Sequence, residues 1–283
     1  MSSGRLLSFF FFLLMVNIGL HGHCKELRDG KDMTEIEGKR YKAALVVIGN
    51  EILSGRTADK NINWIATKLS SHGVKLDEVR VIPDIKERII STIHELQGQV
   101  DYIFTTGGIG PTHDDITSES IAEACGVAIE QNEDAYAILE NHYGPEHLTT
   151  ARLKMAMIPV GAELIPNPVS SAPGFVIDHI FVMAGVPQIM QAMLDHVLMT
   201  LKGGAVVLSR TLTCHLAESV LAEELTEIQK RWPQIEIGSY PSFSRKDFGV
   251  SIVLRTEDAE ALELASREVE IMMVSKGEQP TIL

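Results

Sequence analysis

The hydrophobic pattern alternates short apolar runs with amphipathic segments from about residue 42 onwards. Ala43 to Ile48 is a continuous apolar run, which is typical of a buried strand. Asn61 to His72 has a helical period, with these residues on one face: Ile62, Ile65, Ala66 and Leu69. Glu78 to Ile82, Lys86 to Leu96 and Tyr102 to Phe104 then predict a strand, a helix and a strand. This order predicts an α/β fold whose mostly parallel sheet has helices on both faces.

Acidic residues follow three of the predicted strands. Asn50 and Glu51 come after the first strand, Asp84 after the second, and Asp114 and Asp115 in the loop after the third. Because ligands of such sheets bind outside the carboxyl ends of the strands, we expect these side chains at one sheet edge. Taken singly, Glu51 and Asp84 fit helix caps as well as they fit ligands.

The segment DYIFTTGGIGPTHDDIT, from Asp101 to Thr117, combines a strand end, a glycine-rich loop and a helix start. Pro111 stiffens the turn, and Thr117 is expected to be the N-cap of the next helix. Glycines let the backbone turn sharply and bring its N–H groups close to a phosphate. The loop contains three of them: Gly107, Gly108 and Gly110.

Two carboxylates beside a phosphate-binding backbone indicate a cation. Asp114 and Asp115 would repel an anion unless Mg²⁺ or another hard divalent ion lay between them. The alternative is an ordinary strand-to-helix turn with two solvated aspartates. His113 is the one histidine in this loop and the one we consider for catalysis.

The middle of the chain has helical segments followed by stiff turns. Asn132 to Tyr143 is expected to be a helix, and Leu153 to Met157 a further helical turn before Pro159. In the stretch NPVSSAPGFVIDHIFVMAGVP, turn residues then precede and follow two short strands. These residues could form a pocket wall or could be ordinary turns between the strands. These turn residues are Pro168, Ser170, Ser171, Pro173, Gly174, Gly185 and Pro187.

The Gly203–Gly204 pair marks a boundary, after which a small α+β module is predicted. Its expected elements are strand Ala205–Cys214, helix Ala217–Trp232, strands Ile235–Tyr240 and Gly249–Arg255, and helix Ala259–Val274. The helix from Ala217 has these residues at core spacing: Val220, Leu221, Leu225, Ile228 and Trp232. No nucleophile, metal cluster or phosphate loop is found in this module, so packing, dimerisation or covering the site is expected of it.

The first 32 residues differ from the rest. Arg5 precedes the apolar run Leu6 to Val16, as in a secretory signal, but the run is too short for a membrane span. His23 before Cys24 and the lack of an Ala-x-Ala site make a poor cleavage signal. Either these residues are an export leader, or Met33 is the true start of a cytoplasmic protein, which we favour. The expected domains are residues 41–202 and 204–276.

Composition restricts the partners. The chain has 283 residues, 45% of them hydrophobic, and a formal net charge of -13, which argues against nonspecific nucleic-acid binding and against an anionic membrane surface. The cysteines Cys24, Cys125 and Cys214 lie too far apart to indicate a metal or redox motif. An acidic protein of this kind would bind a phosphorylated small molecule through backbone N–H groups, metal ions and a few local cations.

Four motifs in order carry a family resemblance: VIGNEILSGRTADKN, TTGGIGPTHDDIT, NPVSSAPGF and MAGVP. From Tyr41 to Leu201 the chain resembles the molybdopterin-binding domain found in the competence/damage-inducible protein A family. RTLTCHLAESVLAEEL and IEIGSYP resemble the small domain that follows in that family. The chain ends at Leu283, before the nicotinamide-nucleotide amidase domain that many members carry, and the nucleotidyl-transferase half of eukaryotic FAD synthases is missing too.

The resemblance implies one of two activities. In the molybdenum-cofactor branch, the glycine loop and an aspartate hold pterin phosphate and support adenylyl transfer or metal insertion, and Asp115 and Asp84 match those positions. In the competence/damage-inducible branch, the site is associated with metal-dependent hydrolysis of nucleotide pyrophosphates such as ADP-ribose or FAD. This chain is more similar to the second branch. Asn50 stands where many members have Asp, which leaves Glu51 as the acidic residue there.

We therefore expect a nucleotide pyrophosphatase with a divalent metal cofactor, a three-layer sandwich fold and a homo-oligomeric state. Asp115, Asp84 and Asp114 are the expected catalytic residues, and Asp84, Asp115 and Glu51 the expected metal ligands. The alternative is a noncatalytic module that binds a pterin or nucleotide. The expected phosphate-binding residues are Thr106, Gly107, Gly108, Gly110, Pro111, Thr112, Ser171, Gly174 and Gly185.

Overall fold

The computed structural model of the protein describes residues 40–243 and 248–283. The segment interpreted as a leader or an early start, residues 1–32, lies outside the described residues. Among the helices of the described ranges, none has the length and apolar character needed to cross a membrane.

The first part of the chain alternates strands with helices as predicted. Its elements are β1 (Tyr41–Ile48), α1 (Asn50–Leu53), α2 (Asn61–Ser71), β2 (Val74–Ile82), α3 (Lys86–Leu96), β3 (Tyr102–Thr106), α4 (Thr117–Ala124), β4 (Ile129–Gln131), α5 (Glu133–Tyr143), α6 (Thr150–Leu153), β5 (Met157–Pro159), β6 (Glu163–Ile165), β7 (Gly174–Ile177), β8 (Ile180–Met183) and α7 (Pro187–Leu198). A 3₁₀ turn, Lys154–Ala156, occupies most of the helical turn predicted over Leu153 to Met157.

A six-stranded sheet in the order β2-β1-β3-β8-β7-β6 forms the centre of this part. Strands β2, β1, β3 and β8 run parallel, whereas β7 and β6 are added in antiparallel fashion. The apolar residues of β1 are buried, as its continuous apolar run predicts for a strand covered on both faces.

Helices cover both faces of this sheet and make three layers. On one face α3 buries Ile89, Ile93 and Leu96 in a core that α4 and α5 complete. On the other face α2 buries Ile65 and Leu69 beside α7. The predicted α/β sandwich with a mostly parallel sheet is confirmed.

The second module is a four-stranded antiparallel sheet in the order β10-β11-β9-β12, which shares one core with two helices. Its elements are β9 (Leu208–Cys214), α8 (Glu218–Arg231), β10 (Glu236–Phe243), β11 (Phe248–Thr256), α9 (Ala259–Ser275) and β12 (Thr281–Ile282).

Some predicted details of these elements were wrong. Val220 is exposed, whereas Leu221, Leu225 and Ile228 form the buried stripe of the helix. Val220 lies about 100° around the helix axis from Leu221 and therefore faces away from this stripe. Strand β9 begins at Leu208 rather than at Ala205. The strands β4, β5, β6 and β12 were not predicted, since runs of two or three residues are too short to show a period.

The end of α2 meets the segment that leads into the second module. Gly73 has a φ of 73°, and its carbonyl oxygen accepts a hydrogen bond from the Gly204 nitrogen at 3.0 Å. A Cβ on Gly73 would lie 2.2 Å from the Gly204 oxygen. Both the positive φ and the backbone contact therefore require glycine at this position.

We expect Gly73→Ala to lower the free energy of unfolding by about 3 kcal/mol, because it adds a backbone clash to the strain of a positive φ. Gly98→Ala is the matched control, since Gly98 has a φ of 78° with no atom within 4 Å of an added Cβ. The control should cost about 1 kcal/mol. Urea unfolding measures both variants, and equal losses would contradict the importance of the Gly204 contact.

Candidate functional site

Three strand ends meet through direct backbone contacts at the carboxyl edge of the parallel strands. Gly107, directly after β3, has a φ of 103°, and a Cβ there would lie 2.2 Å from the carbonyl oxygen of Ile48 at the end of β1. A Cβ on Gly185, after β8, would lie 3.2 Å from the Gly107 Cα. Glycine at 107 and 185 thus lets the loops after β1, β3 and β8 come together.

Thr117 closes the glycine loop and does not act as an N-cap. Helix α4 begins at Thr117, with Ile116 as an N-cap that makes no side-chain hydrogen bond. The Thr117 hydroxyl is buried and donates to the Gly107 carbonyl at 2.9 Å, and its nitrogen donates to the Gly108 carbonyl at 2.9 Å. The N-cap prediction was wrong because the hydroxyl turns back to the loop instead of forward into the helix.

The loop presents three adjacent backbone N–H groups. The Gly107 nitrogen donates to the Met183 carbonyl, and the Thr112 nitrogen donates to Oδ2 of Asp115 at 2.8 Å. Within the part of the chain that the structure describes, the N–H groups at positions 108, 109 and 110 have no acceptor. Consecutive free N–H groups of this kind can form a concavity that binds an anion.

Asp114 and Asp115 converge on one hydroxyl group. The Thr112 Oγ1 lies 2.6 Å from Oδ1 of Asp114 and 2.5 Å from Oδ2 of Asp115, although a hydroxyl has only one proton to donate. The hydrogen bond from Thr112 and then the Asp114 backbone hold the pKa of Asp114 below its usual range, with smaller contributions from His113 and Lys154. Two carboxylates are therefore held close together.

Asp84 and Glu51 lie beside the start of α1. The Asn50 nitrogen donates to Oδ2 of Asp84 at 2.8 Å, so this carboxylate satisfies one of the free N–H groups of that helix end. The carboxylate of Glu51 folds back over Gly49, where an added Cβ would lie 2.6 Å from either oxygen. Asp84 does not cap the helix that follows it, because the N-cap of α3 is Ile85, and its bond to the Asn50 nitrogen instead joins the loops after β1 and β2.

A cavity of about 720 Å³ brings these loops together. It is lined by most of the predicted residues, namely Glu51, Asp84, Gly107, Gly108, Gly110, Pro111, Thr112, Asp114, Asp115 and Gly185. His113 is not among its walls.

Three predicted phosphate-binding residues lie outside the walls of this cavity. The Thr106 side chain is buried in β3, and its hydroxyl has no described partner. Gly174 is buried in β7, where a Cβ would lie 2.4 Å from the Val182 oxygen, so it serves strand packing. The Ser171 hydroxyl lies 3.0 Å from Nδ1 of His142. A turn-forming residue type in the sequence therefore predicts where a loop lies, but it does not predict which way the side chain of that residue points.

Sequence reasoning missed the basic and aromatic part of the site. Arg152 and Tyr143 line the cavity, and Lys154 donates from Nζ to the Thr112 carbonyl at 2.8 Å. Asn167 shapes the neighbouring loop, because its side chain donates to Ser170 and to the carbonyl of residue 172 and accepts from the nitrogens of residues 169 and 170. The NP pair of the motif could have identified Asn167 as a turn residue.

The predicted metal ligands share the cavity without forming a complete ion site. Within residues 40–243 and 248–283, no group of three or more His, Cys, Asp or Glu side chains is placed to hold a metal ion. Asp84, Asp115 and Glu51 are therefore not assembled into a three-carboxylate site. Because Mg²⁺ commonly binds one or two carboxylates together with substrate phosphates, these residues still fit an ion that arrives with its ligand.

The fold is an α/β sandwich, and the candidate site is a glycine-rich loop with free N–H groups at the sheet edge. The family model described as "Probable molybdopterin binding domain" matches residues 44–203, and the chain belongs to this family. Residues 206–279 match the model described as "FAD synthase, middle domain". The predicted family resemblance is confirmed, and the second match relates the small module to FAD synthases.

Individual proteins are also similar to this chain. A protein from Aeropyrum pernix is 32% identical over 262 residues, which cover 84% of this chain and 97% of the relative. A protein from Pyrobaculum calidifontis is 32% identical over 215 residues, or 70% of this chain and 80% of the relative. Among solved structures, "the protein CinA with unknown function" from Thermoplasma acidophilum is 36% identical with a TM-score of 0.53, covering 56% of this chain and 98% of its own.

We expect Thr117→Val to lower the free energy of unfolding by about 1–3 kcal/mol, because it leaves the buried Gly107 carbonyl without its donor. Thr226→Val is the matched control: its exposed hydroxyl donates to the Ala222 carbonyl at 2.8 Å within α8, and its loss should cost less than about 0.5 kcal/mol. Urea unfolding compares the two variants. Equal effects would show that the loop does not depend on the Thr117 bond.

We expect Thr112→Val to raise the pKa of Asp114 towards 3.8, because the hydroxyl hydrogen bond is the largest cause of its lowering. A lowered folded-state pKa contributes stability above the unfolded pKa that is lost as the pH falls through the folded value, so the variant should lose this contribution in acid. Carboxyl NMR titration measures it. The pKa of Asp77, which is lowered mainly by its hydrogen bond with Lys75, is the internal control. An unmoved Asp114 pKa would contradict the assignment.

Proposed function

We propose that the cavity binds the diphosphate of a nucleotide pyrophosphate of the ADP-ribose or FAD class and hydrolyses it with the help of a divalent metal ion. The observation that carries this proposal is the presence of three free loop N–H groups in the same cavity as four carboxylates. The similarity of the second module to the middle domain of FAD synthases supports a nucleotide ligand.

The two halves of the cavity have complementary roles. The N–H groups of residues 108–110 donate to the oxygens of one phosphate and fix its position. Four carboxylates would repel the same diphosphate, so its charge must be offset when it enters. A divalent ion with oxygen ligands meets this requirement, and Asp115, Asp84 and Glu51 are the side chains that would hold it.

When bound, the ion would neutralise charge on the phosphoryl oxygens and favour ionisation of the attacking water. The residues of the chain position the reactants. Asp114 is anionic at neutral pH, as an ordinary aspartate is, and its charge attracts the cation. The bond from the Thr112 nitrogen fixes one Asp115 oxygen, while the other oxygen has no described hydrogen bond and is free to contact the ion or water.

The proposed hydrolysis adds one water across the pyrophosphate bridge. The water oxygen bonds to one phosphorus while the bond from that phosphorus to the bridging oxygen breaks. The bridging oxygen leaves with the other phosphate, and the protons of the water are released to solvent or carried by the products. With ADP-ribose the products are AMP and ribose phosphate, and with FAD they are AMP and FMN.

A binding module without hydrolysis is the second candidate. It is favoured by the lack of a preassembled group of three metal-ligating side chains in the described ranges, and by the family description as a probable molybdopterin binding domain. Calorimetric titration with ADP-ribose, FAD and a molybdopterin nucleotide, each with and without Mg²⁺ and followed by AMP analysis, separates the two candidates. Binding without AMP release would favour the module.

We expect Asp115→Asn to reduce AMP release by at least about 100-fold, because it removes a charge that holds the ion. The fold should be unchanged, since the amide oxygen of Asn can still accept from the Thr112 nitrogen. Asp134→Asn, an exposed carboxylate in the first turn of α5, is the matched control and should retain full activity. Undiminished hydrolysis by Asp115→Asn would refute the assignment.

A further inference from the structure

Arg152 is the one basic side chain among the described residues that line the cavity. It comes from the short helix α6. The other charged residues of the cavity wall are all acidic: Glu51, Asp84, Asp114 and Asp115. The guanidinium therefore supplies a positive charge in a cavity whose other charged residues are acidic.

The guanidinium is held in place without using up its donors. Its Cζ lies 4.1 Å from the centroid of the Tyr143 ring, and Nη1 donates to the His147 carbonyl at 2.7 Å. At the start of α6, the Thr149 hydroxyl accepts from the Arg152 nitrogen. The side chain is therefore fixed by stacking and one hydrogen bond, and the remaining N–H donors of the five stay available.

Arg152 also differs from most other arginines of the protein in its partners. Arg80, Arg210 and Arg231 each form an ion pair with a glutamate. Within residues 40–243 and 248–283, no carboxylate lies at ion-pair distance from Arg152. A half-buried guanidinium beside four carboxylates, but paired with none of them, is preorganised for an external anion.

We propose that Arg152 binds the second phosphate of a diphosphate ligand and makes the site select diphosphates over monophosphates. Three adjacent N–H groups suit a single phosphate, so a second phosphate needs its own donors. The planar guanidinium supplies two parallel N–H groups for it. Tyr143 is the positioning residue, because its ring fixes the plane of that guanidinium. The inference rests on the proposed diphosphate ligand but not on hydrolysis.

The test compares a diphosphate with a monophosphate. Dissociation constants are measured by calorimetry for AMP and for the methylene-bridged analogue of ADP, whose bridge resists hydrolysis, with Mg²⁺ and with EDTA. The variants are Arg152→Gln, Arg152→Lys and Tyr143→Leu. Arg267→Gln is the control, because Arg267 forms a surface ion pair with Glu263 in the second module.

The wild type should bind the diphosphate analogue more tightly than AMP. Arg152→Gln should weaken the diphosphate about 10- to 100-fold and change AMP by less than about threefold. Arg152→Lys should recover part of this loss, since it keeps the charge without the planar fork. Tyr143→Leu should reduce the preference for the diphosphate analogue over AMP, as Arg152→Gln does. Arg267→Gln should change neither constant.

Equal losses for both ligands in Arg152→Gln would overturn the inference, because they indicate a structural role. An unchanged diphosphate constant, or a wild type that does not prefer the diphosphate, would also overturn it. This test can be distinguished from the test of the proposed hydrolysis. If Arg152→Gln removes the preference for the diphosphate but the wild type releases no AMP from ADP-ribose or FAD, the inference is supported and hydrolysis is refuted.

Discussion

The backbone of Gly107 lies against the carbonyl of Ile48 on one side and against Gly185 on the other, and the site depends on these contacts. They bring the ends of β1, β3 and β8 together: a side chain at 107 would collide with the Ile48 carbonyl, and one at 185 would press on the Gly107 backbone. The hydroxyl and the nitrogen of Thr117 then hold the carbonyls of Gly107 and Gly108 by hydrogen bonds. The next three N–H groups are left free as a consequence of this backbone geometry.

A conflict between charge and binding follows from the same geometry. The free N–H groups attract an anion to a cavity whose acidic residues repel it. Thr112 moderates this repulsion by bonding Asp115 through its nitrogen and by offering one hydroxyl to Asp115 and Asp114. One proton cannot satisfy two carboxylates, so the cluster still favours a cation. Asp84 retains one oxygen after its bond to the Asn50 nitrogen.

The sequence predicted the long elements and the loop because both have strong local signals. The continuous apolar run of β1 and the bounds of α3 were read directly, and the alternation of elements placed the acidic loops at one edge. The direction of individual side chains could not be predicted: Thr106 and Gly174 are buried in strands, and Thr117 bonds backward into the loop. These outcomes depend on contacts between residues distant in sequence, which no local period records.

Arg152, the basic residue that the sequence analysis did not identify, shows that the motifs describe only part of the site. Arg152 lies in a four-residue helix, which is too short to show a hydrophobic period, and none of the recognised motifs includes it. Its position comes from stacking on Tyr143 and a bond to the His147 carbonyl, both contributed by the segment around the end of α5. The glycine loop carries a motif at the sheet edge, whereas the segment that carries Arg152 lies outside the four recognised motifs. A cation that this segment adds to the cavity therefore cannot be found from the glycine-loop motif alone.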